Sequence, residues 1–250
     1  MEPEIFAEQF IHGHVFFFVS KGTLNCYDGN RNYTFQTGEY CLLRKNRLAR
    51  YSGEKGKEFE VVFICFEDEF IKKFQEKHQA EATKFNLSDT FVKISEDILI
   101  PEFVRSLRPY YHQGKIDEAF ADIKYEELLI ILLQNQPELG GIFFNYGKPE
   151  RLNLEEFMNR NYQFNVSIGQ FAYLTGRSLS AFKRDFKEIF NETPSRWLVK
   201  KRLQEACFLI TKEGKNPSDI YLDLGFETLS HFSHAFKKLF GQTPTEMSKK

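Results

Sequence analysis

Ser180, Lys183, Arg184 and Lys187 lie on one side of a short segment of this 250-residue chain. Ser230, Ser233, His234, Lys237 and Lys238 lie on one side of another. Both sides are polar and mostly cationic, with carboxylates only at the flanks of the first, at Asp185 and Glu188. Such groups recognise anions. A guanidinium presents a planar pair of donors that matches two acceptors on a guanine edge or a phosphate, and an ammonium meets phosphate as a point charge. His12 and His14 offer a different chemistry. Two imidazoles on one strand face can ligate a metal, but such a site needs a Glu and a third His nearby. Arg44, Lys45 and Arg47 occupy the neighbourhood where the later His is expected. The sequence therefore favours no metal and no cofactor. It also has no Gly-rich phosphate loop, nucleophile elbow or Cys-x2-Cys pair.

The elements that carry the two polar sides are copies of each other. Residues 178–197 read SLSAFKRDFKEIFNETPSRW and residues 228–247 read TLSHFSHAFKKLFGQTPTEM. At an offset of 50, the pairs Leu179/Leu229, Ser180/Ser230, Phe182/Phe232, Phe186/Phe236, Lys187/Lys237, Phe190/Phe240, Thr193/Thr243 and Pro194/Pro244 are identical. Phe182, Phe186, Ile189 and Phe190 recur at helical spacing, as do Phe232, Phe236, Leu239 and Phe240, so each copy is a helix with one apolar face. The Phe positions read as core, which leaves the duplicated polar face to be explained. The Thr-Pro after each copy ends one helix and can open another, with Thr as N-cap and Pro at the first helical position.

A shorter helix precedes each copy. Ser167 can cap IGQFAYL before the break at Thr175-Gly176, and Asn216-Pro217-Ser218 opens DIYLDL before Gly225-Phe226. Helix, Gly-containing turn and helix form the helix-turn-helix pattern, whose second helix can enter the major groove of DNA. The second turn is one residue longer: Gly176 precedes Phe182 by six positions, and Gly225 precedes Phe232 by seven.

Residues 151–250 resemble the DNA-binding domain of AraC/XylS-type transcription regulators. The resemblance rests on Gly225-Phe226-x3-Ser230-x-Phe232-x3-Phe236-Lys237-x2-Phe240-Gly241-x-Thr243-Pro244 and on Trp197-Leu198-x3-Arg202-x3-Ala206-x2-Leu209. It covers both helix-turn-helix units, about 167–190 and 217–240, and the helix joining them. That helix, over residues 194–211, is about 27 Å long. A strut of this length can hold two recognition helices about 34 Å apart, one turn of DNA. Alignment to the family implies base readers at Ser180, Lys183, Arg184, Ser230, His231 and His234. It implies phosphate contacts at Lys187, Lys200, Lys201, Lys237 and Lys238. His234 stands where relatives often carry Arg or Lys, which weakens base reading by the second unit and adds a pH-sensitive group. Tyr221 replaces a usually small residue, so the second unit is expected to pack more loosely.

The first 145 residues have another character. Strand-like runs at 15–19, 23–27, 32–35, 40–43 and 60–66 are punctuated by Asp28-Gly29, Thr37-Gly38 and Ser52-Gly53. They predict a small antiparallel barrel or sandwich. Helical patterns follow at 67–79, 101–112 and 117–134. The last places Phe120, Ile123, Leu128, Ile131 and Leu132 on one side, which suits either dimerisation or packing on its own sheet. In AraC-type proteins this half is a cupin-like sensing and dimerisation domain. Gly38-Glu39-Tyr40 through Arg44-x2-Arg47 is similar to the branch found among type III secretion activators, in which the signal is a partner protein. The expected fold class is thus two-domain α+β: a cupin-like antiparallel β-barrel with helices at 1–145, a linker at 146–150 and an all-α double helix-turn-helix domain at 151–250.

Charge follows the same division. Residues 151–250 net +5 and residues 1–150 net −6, within a total of −1. A basic C-terminal part beside an acidic remainder suits nucleic-acid binding by one domain only. Cys26, Cys41, Cys65 and Cys207 are scattered and read as buried free thiols of a reducing compartment. The N-terminus lacks the pattern of a signal peptide, and no apolar run approaches the roughly 20 residues of a membrane span. These features suit a cytoplasmic protein. The resemblance to AraC/XylS-type regulators implies a transcription regulator, not an enzyme, whose partners are double-stranded DNA and RNA polymerase. It also implies an N-terminal domain open to homodimer contact and to an effector, a small molecule or a protein. The alternative is a cupin-type metalloenzyme with an appended DNA-binding domain.

Overall fold

The computed structural model describes residues 9–54, 56–81, 89–112 and 115–248. The expectation about a leader segment concerns residues 1–8, outside the described residues. Two short strands, β1 (Phe10–Ile11) and β6 (Arg47–Leu48), pair with each other. Between them in sequence lie β2 (His14–Lys21), β3 (Thr23–Tyr27), β4 (Asn32–Gln36) and β5 (Tyr40–Leu43). After them come β7 (Arg50–Gly53), β8 (Glu60–Phe66) and β9 (Phe91–Lys93). All pairings among these strands are antiparallel. They form a four-stranded sheet, β8-β2-β5-β9, and a three-stranded sheet, β4-β3-β7. The strands are thus divided between sheets and are not hydrogen-bonded into one closed barrel.

The period-2 geometry of β2 explains the layering. Phe16 and Phe17 are both fully buried but point to opposite faces. Phe17, with Leu24, Cys26, Leu43 and Tyr51, fills the space between the two sheets. Phe16, with Leu42, Ile64 and Phe66, meets helices on the other side. Those helices are α1 (Asp68–His78), α2 (Leu99–Ser106), α3 (Glu118–Asn135) and α4 (Gly140–Phe143).

Three local expectations need correction. Ser52-Gly53 belongs to β7 and is not a bend; the Phe59 ring lies over Gly53 so closely that an added Cβ would sit 2.2 Å from it. The helix expected over 101–112 is α2, which ends at Ser106, before a single 3-10 turn at Arg108–Tyr110. Pro109 disfavours helical backbone at Arg108 and has no N–H to donate. In α3, Leu128, Ile131 and Leu132 are buried in the chain's own core, whereas Phe120 and Ile123 are exposed.

The C-terminal part is helical: α5 (Leu154–Asn161), α6 (Ile168–Leu174), α7 (Leu179–Phe190), α8 (Pro194–Glu213), α9 (Pro217–Ile220), α10 (Leu229–Phe240) and α11 (Pro244–Met247). Ser167 and Gln170 form a capping box at α6, and Thr193-Pro194 opens α8 with Pro in the first turn. One cluster around Phe171, Phe182, Phe186 and Leu198 holds the first unit, and another around Leu203, Ala206, Ile210, Phe232 and Phe236 holds the second. Tyr221 is 7% exposed within the second cluster, so its bulk is built into the core and does not loosen it.

The N-terminal sheets touch the helical part directly. Phe10 of β1 and Leu48 of β6 belong to the core of the first unit. Gln9 accepts a hydrogen bond from the Asn165 backbone N–H at 2.8 Å, and Tyr27 stacks on Phe164 with ring centroids 5.8 Å apart. Arg50 donates to the Asp223 carbonyl at 2.6 Å. Among the described residues no helix is long and apolar enough to cross a membrane.

Candidate nucleic-acid interface

The two copied segments fold as the copied helices α7 and α10, each of 12 residues. Ser178 and Thr228 cap their first turns, accepting from the N–H groups of Ala181 and His231. Phe182, Phe186, Phe232 and Phe236 are fully buried. Ile189 and Leu239, placed by periodicity on the same face, are 44% and 45% exposed, because the last turn of each helix is only partly covered. The extra residue of the second turn is visible in the caps. Gly176 lies two positions before the cap Ser178, and Gly225 lies three before Thr228.

Opposite the Phe face, Ser180, Lys183, Arg184 and Lys187 are exposed on α7, and Ser230, His231, His234, Lys237 and Lys238 on α10. Both helices pack on α8. At 20 residues α8 is about 30 Å long. Two solvent-facing, carboxylate-poor surfaces are thereby held by one rigid element. Lys200 and Lys201 lie on α8 itself. Lys200 Nζ is 3.8 Å from Glu192, and Lys201 sits half-buried, 5.7 Å from the centre of the Tyr162 ring.

The surroundings of the two faces differ. Asp185 Oδ2 accepts from Arg177 Nε at 3.1 Å and Arg151 Nη2 at 3.0 Å, and its Oδ1 accepts from Arg184 Nη2 at 3.0 Å. Arg177 also donates to the carbonyls of Thr175 and Leu152 at 2.7 and 3.0 Å. Asp185 thus ties the exposed Arg184 to the turn and to the chain before α5. In α10 the matching residue is Ala235, so His234 lacks this clamp; His231 instead packs edge-on against Phe226, with centroids 5.6 Å apart.

Hydrogen bonds from Arg177, then from Arg184, hold the Asp185 carboxyl below the usual aspartate range. A depressed carboxyl pKa stabilises the fold above the unfolded pKa, near 4, and that stabilisation is lost as pH falls through the folded value. Asp185→Asn is therefore expected to lower the melting temperature at pH 7 and to differ less from the parent in strong acid. Thermal denaturation at pH 7 and pH 3 checks this; an equal difference at both pH values would refute it.

Behind this surface, Arg202 of α8 is 7% exposed. It donates through Nε to the Tyr162 carbonyl at 2.7 Å, through Nη2 to Phe164 at 2.8 Å and through Nη1 to Gly225 at 2.8 Å. Burial pushes its pKa down to about 10, so it remains charged at neutral pH. Gly225 has φ +82°, and a Cβ there would lie 2.8 Å from Arg202 Cζ. This guanidinium locks the second turn to the chain leaving α5. Its motif is visible in the sequence, but its role is not, because its three acceptors are backbone atoms without a residue signature.

The two histidines have unlike surroundings. His12 is exposed and packs against Phe10, with centroids 4.3 Å apart, whereas His14 is 2% exposed. Among the described residues no group of three or more His, Cys, Asp or Glu is placed to hold a metal.

A family model described as the ExsA N-terminal regulatory domain matches residues 14–141, and a helix-turn-helix domain model matches residues 171–250. The virulence regulon transcriptional activator VirF of Yersinia enterocolitica is 20% identical over 239 residues, covering 92% of this chain and 87% of that protein. The transcriptional regulator ExsA of Pseudomonas aeruginosa is 22% identical over 232 residues, covering 90% and 82%. Among solved structures, the apo form of a ToxT variant from Vibrio cholerae aligns with 100% of this chain and 94% of its own, at 16% identity and a TM-score of 0.46.

Proposed function

The chain belongs to the AraC/XylS family of DNA-binding transcription regulators, and from that membership we propose how its parts divide the work. The family is one of regulators and not of enzymes, so the metalloenzyme alternative falls away. Residues 151–250 are the DNA-reading domain, joined by a linker at 146–150 to a cupin-like sensing domain at 1–145. Helices α7 and α10 enter two successive major grooves on one face of the duplex. Ser180, Lys183 and Arg184 read bases in one groove, and Ser230, His231 and His234 read bases in the next. Lys187, Lys200, Lys201, Lys237 and Lys238 meet phosphates. The protein acts in the cytoplasm as an activator, the role named for VirF, with RNA polymerase as its partner at the promoter. The N-terminal domain receives the signal, from a small ligand or a protein, and supplies a homodimer contact.

The observation that carries this reading is the same polar face presented twice, on α7 and α10, by a single strut. Arg184→Ala is expected to cost about 1–3 kcal/mol at one base position and to relax specificity there. Lys237→Ala is expected to weaken binding to all sequences and to flatten the salt slope by about one unit. Gel-shift titrations on sites selected from random DNA check both. Parental binding by both variants would overturn the groove assignment.

A further inference from the structure

A cleft of about 330 Å³ opens between the N-terminal sheets and the first helix-turn-helix unit, at the lower end of the range for small-molecule sites. Its lining includes His14, Arg44, Lys45, Arg47 and Lys148, and Leu174 closes it on the helical side. Four cations thus face one small space, against a single lining carboxylate, Glu150, which is itself exposed. Lys45 is neutralised by its pairing with Asp68. Arg47 is not matched in this way. Its guanidinium donates to the carbonyl of Asn46 at 3.0 Å, and among the described residues it forms no ion pair. Burial, with Arg44 and Arg160 as like charges, brings its pKa down to about 10.

His14 supplies the second observation. The Lys45 backbone N–H reaches His14 Nδ1 at 3.4 Å, so Nδ1 is the acceptor. Burial and then the cations Lys45, Arg44 and Arg47 push the His14 pKa down to about 3, which leaves the ring neutral. A neutral imidazole that accepts at Nδ1 carries its proton on Nε2. That Nε2 is buried and has no hydrogen-bond partner. Buried donors are nearly always paired, so an orphan beside the unmatched Arg47 marks a place where an acceptor belongs.

We infer that this cleft binds a small, multiply charged anion, a polycarboxylate or a phosphate ester, through the Nε2–H of His14 and the guanidinium of Arg47, with Arg44 and Lys148 around it. The anion supplies the acceptor that His14 lacks and the charge that Arg47 lacks. Leu174 is the last residue of α6, so an occupant touches the element that leads into α7. The regulatory meaning of that contact rests on the DNA-reading function proposed above; the binding itself does not.

The test is isothermal titration of the full-length protein with citrate and, separately, with inorganic phosphate, using acetate as the singly charged comparator. Citrate or phosphate is expected to bind one-to-one with Kd below about 1 mM, and acetate not to bind. The response to citrate against phosphate tells the carboxylate source from the phosphate source. Arg47→Gln is expected to weaken binding about tenfold. Lys148→Ala, a change at an exposed position that leaves the fold intact, is expected to weaken it severalfold. No titration by either anion, or parental affinity in both variants, overturns the site. Gel-shift binding to selected DNA, run on the same preparations without added anion, reports on the DNA reading alone, so the two failures are distinguishable.

Discussion

Arg202→Ala is expected to destabilise the protein by about 3–5 kcal/mol, because three buried carbonyls lose their donor. The truncation deletes three hydrogen bonds of 2.7–2.8 Å and strands the carbonyls of Tyr162, Phe164 and Gly225. Each buried acceptor left without a donor costs about 1–3 kcal/mol, and charge-assisted bonds lie at the upper end. For a chain of this size the loss corresponds to a fall in melting temperature of roughly 10 °C. Arg202→Lys retains the charge but has one nitrogen, which cannot span three carbonyls on two separate segments, so it is expected to recover little. Far-UV circular dichroism on heating checks both variants. A melting temperature within about 2 °C of the parent for Arg202→Ala would show that the three bonds contribute nothing net.

Phe10→Ala is expected to cost a similar amount, about 3–5 kcal/mol for a large buried aromatic, by a different route. Phe10 is 4% exposed and sits in a cluster with Leu154, Phe157 and Phe171, all from the helical part. Its own backbone belongs to the β1–β6 pair of the N-terminal part. Removing the ring empties a socket that joins the two. The loss should therefore appear as uncoupling: a single calorimetric transition in the parent and two in the variant. Phe186→Ala is the comparator, with an equal loss of volume inside the helical part and no expected change in coupling. If Phe10→Ala keeps one transition at the parental temperature, the contact is incidental.

The residues explain which parts of this molecule could be read from sequence. The limits of α7 and α10 were legible because the Gly-containing turns before them and the Thr-Pro pairs after them are local signals, each acting within a few residues of where it stands; the caps Ser178 and Thr228 were not singled out. The strands at 23–27, 40–43 and 60–66 were legible because their β-type residues and the turn signals around them agree. The short β1–β6 pair, β7 and β9 were not, since two to four residues hold no period and Gly53 imitates a turn. Within the candidate interface, the exposed polar positions came from periodicity, except His231, which the family resemblance implied; the buried Phe pairs came from periodicity too. The Arg151–Arg177–Asp185 clamp did not, because Arg151 is 34 residues from Asp185 and only the fold brings them to 3.0 Å. Nor did the contacts of Gln9, Phe10, Tyr27 and Arg50 with the helical part, which no local pattern announces.

The inequality of α7 and α10 has a consequence for the geometry of any promoter the protein occupies. Arg184 is braced by Asp185, whereas His234 has Ala235 beside it and follows a turn one residue longer. On the groove reading proposed above, two unlike readers on one rigid strut give the binding site a left end and a right end. Rotating the chain by half a turn about the duplex dyad would then exchange the braced arginine for the unbraced histidine and forfeit the better contacts. On that reading a single copy is a vector on DNA, which points the N-terminal sheets, fixed to the first unit through Phe10 and Leu48, toward one chosen side of the site.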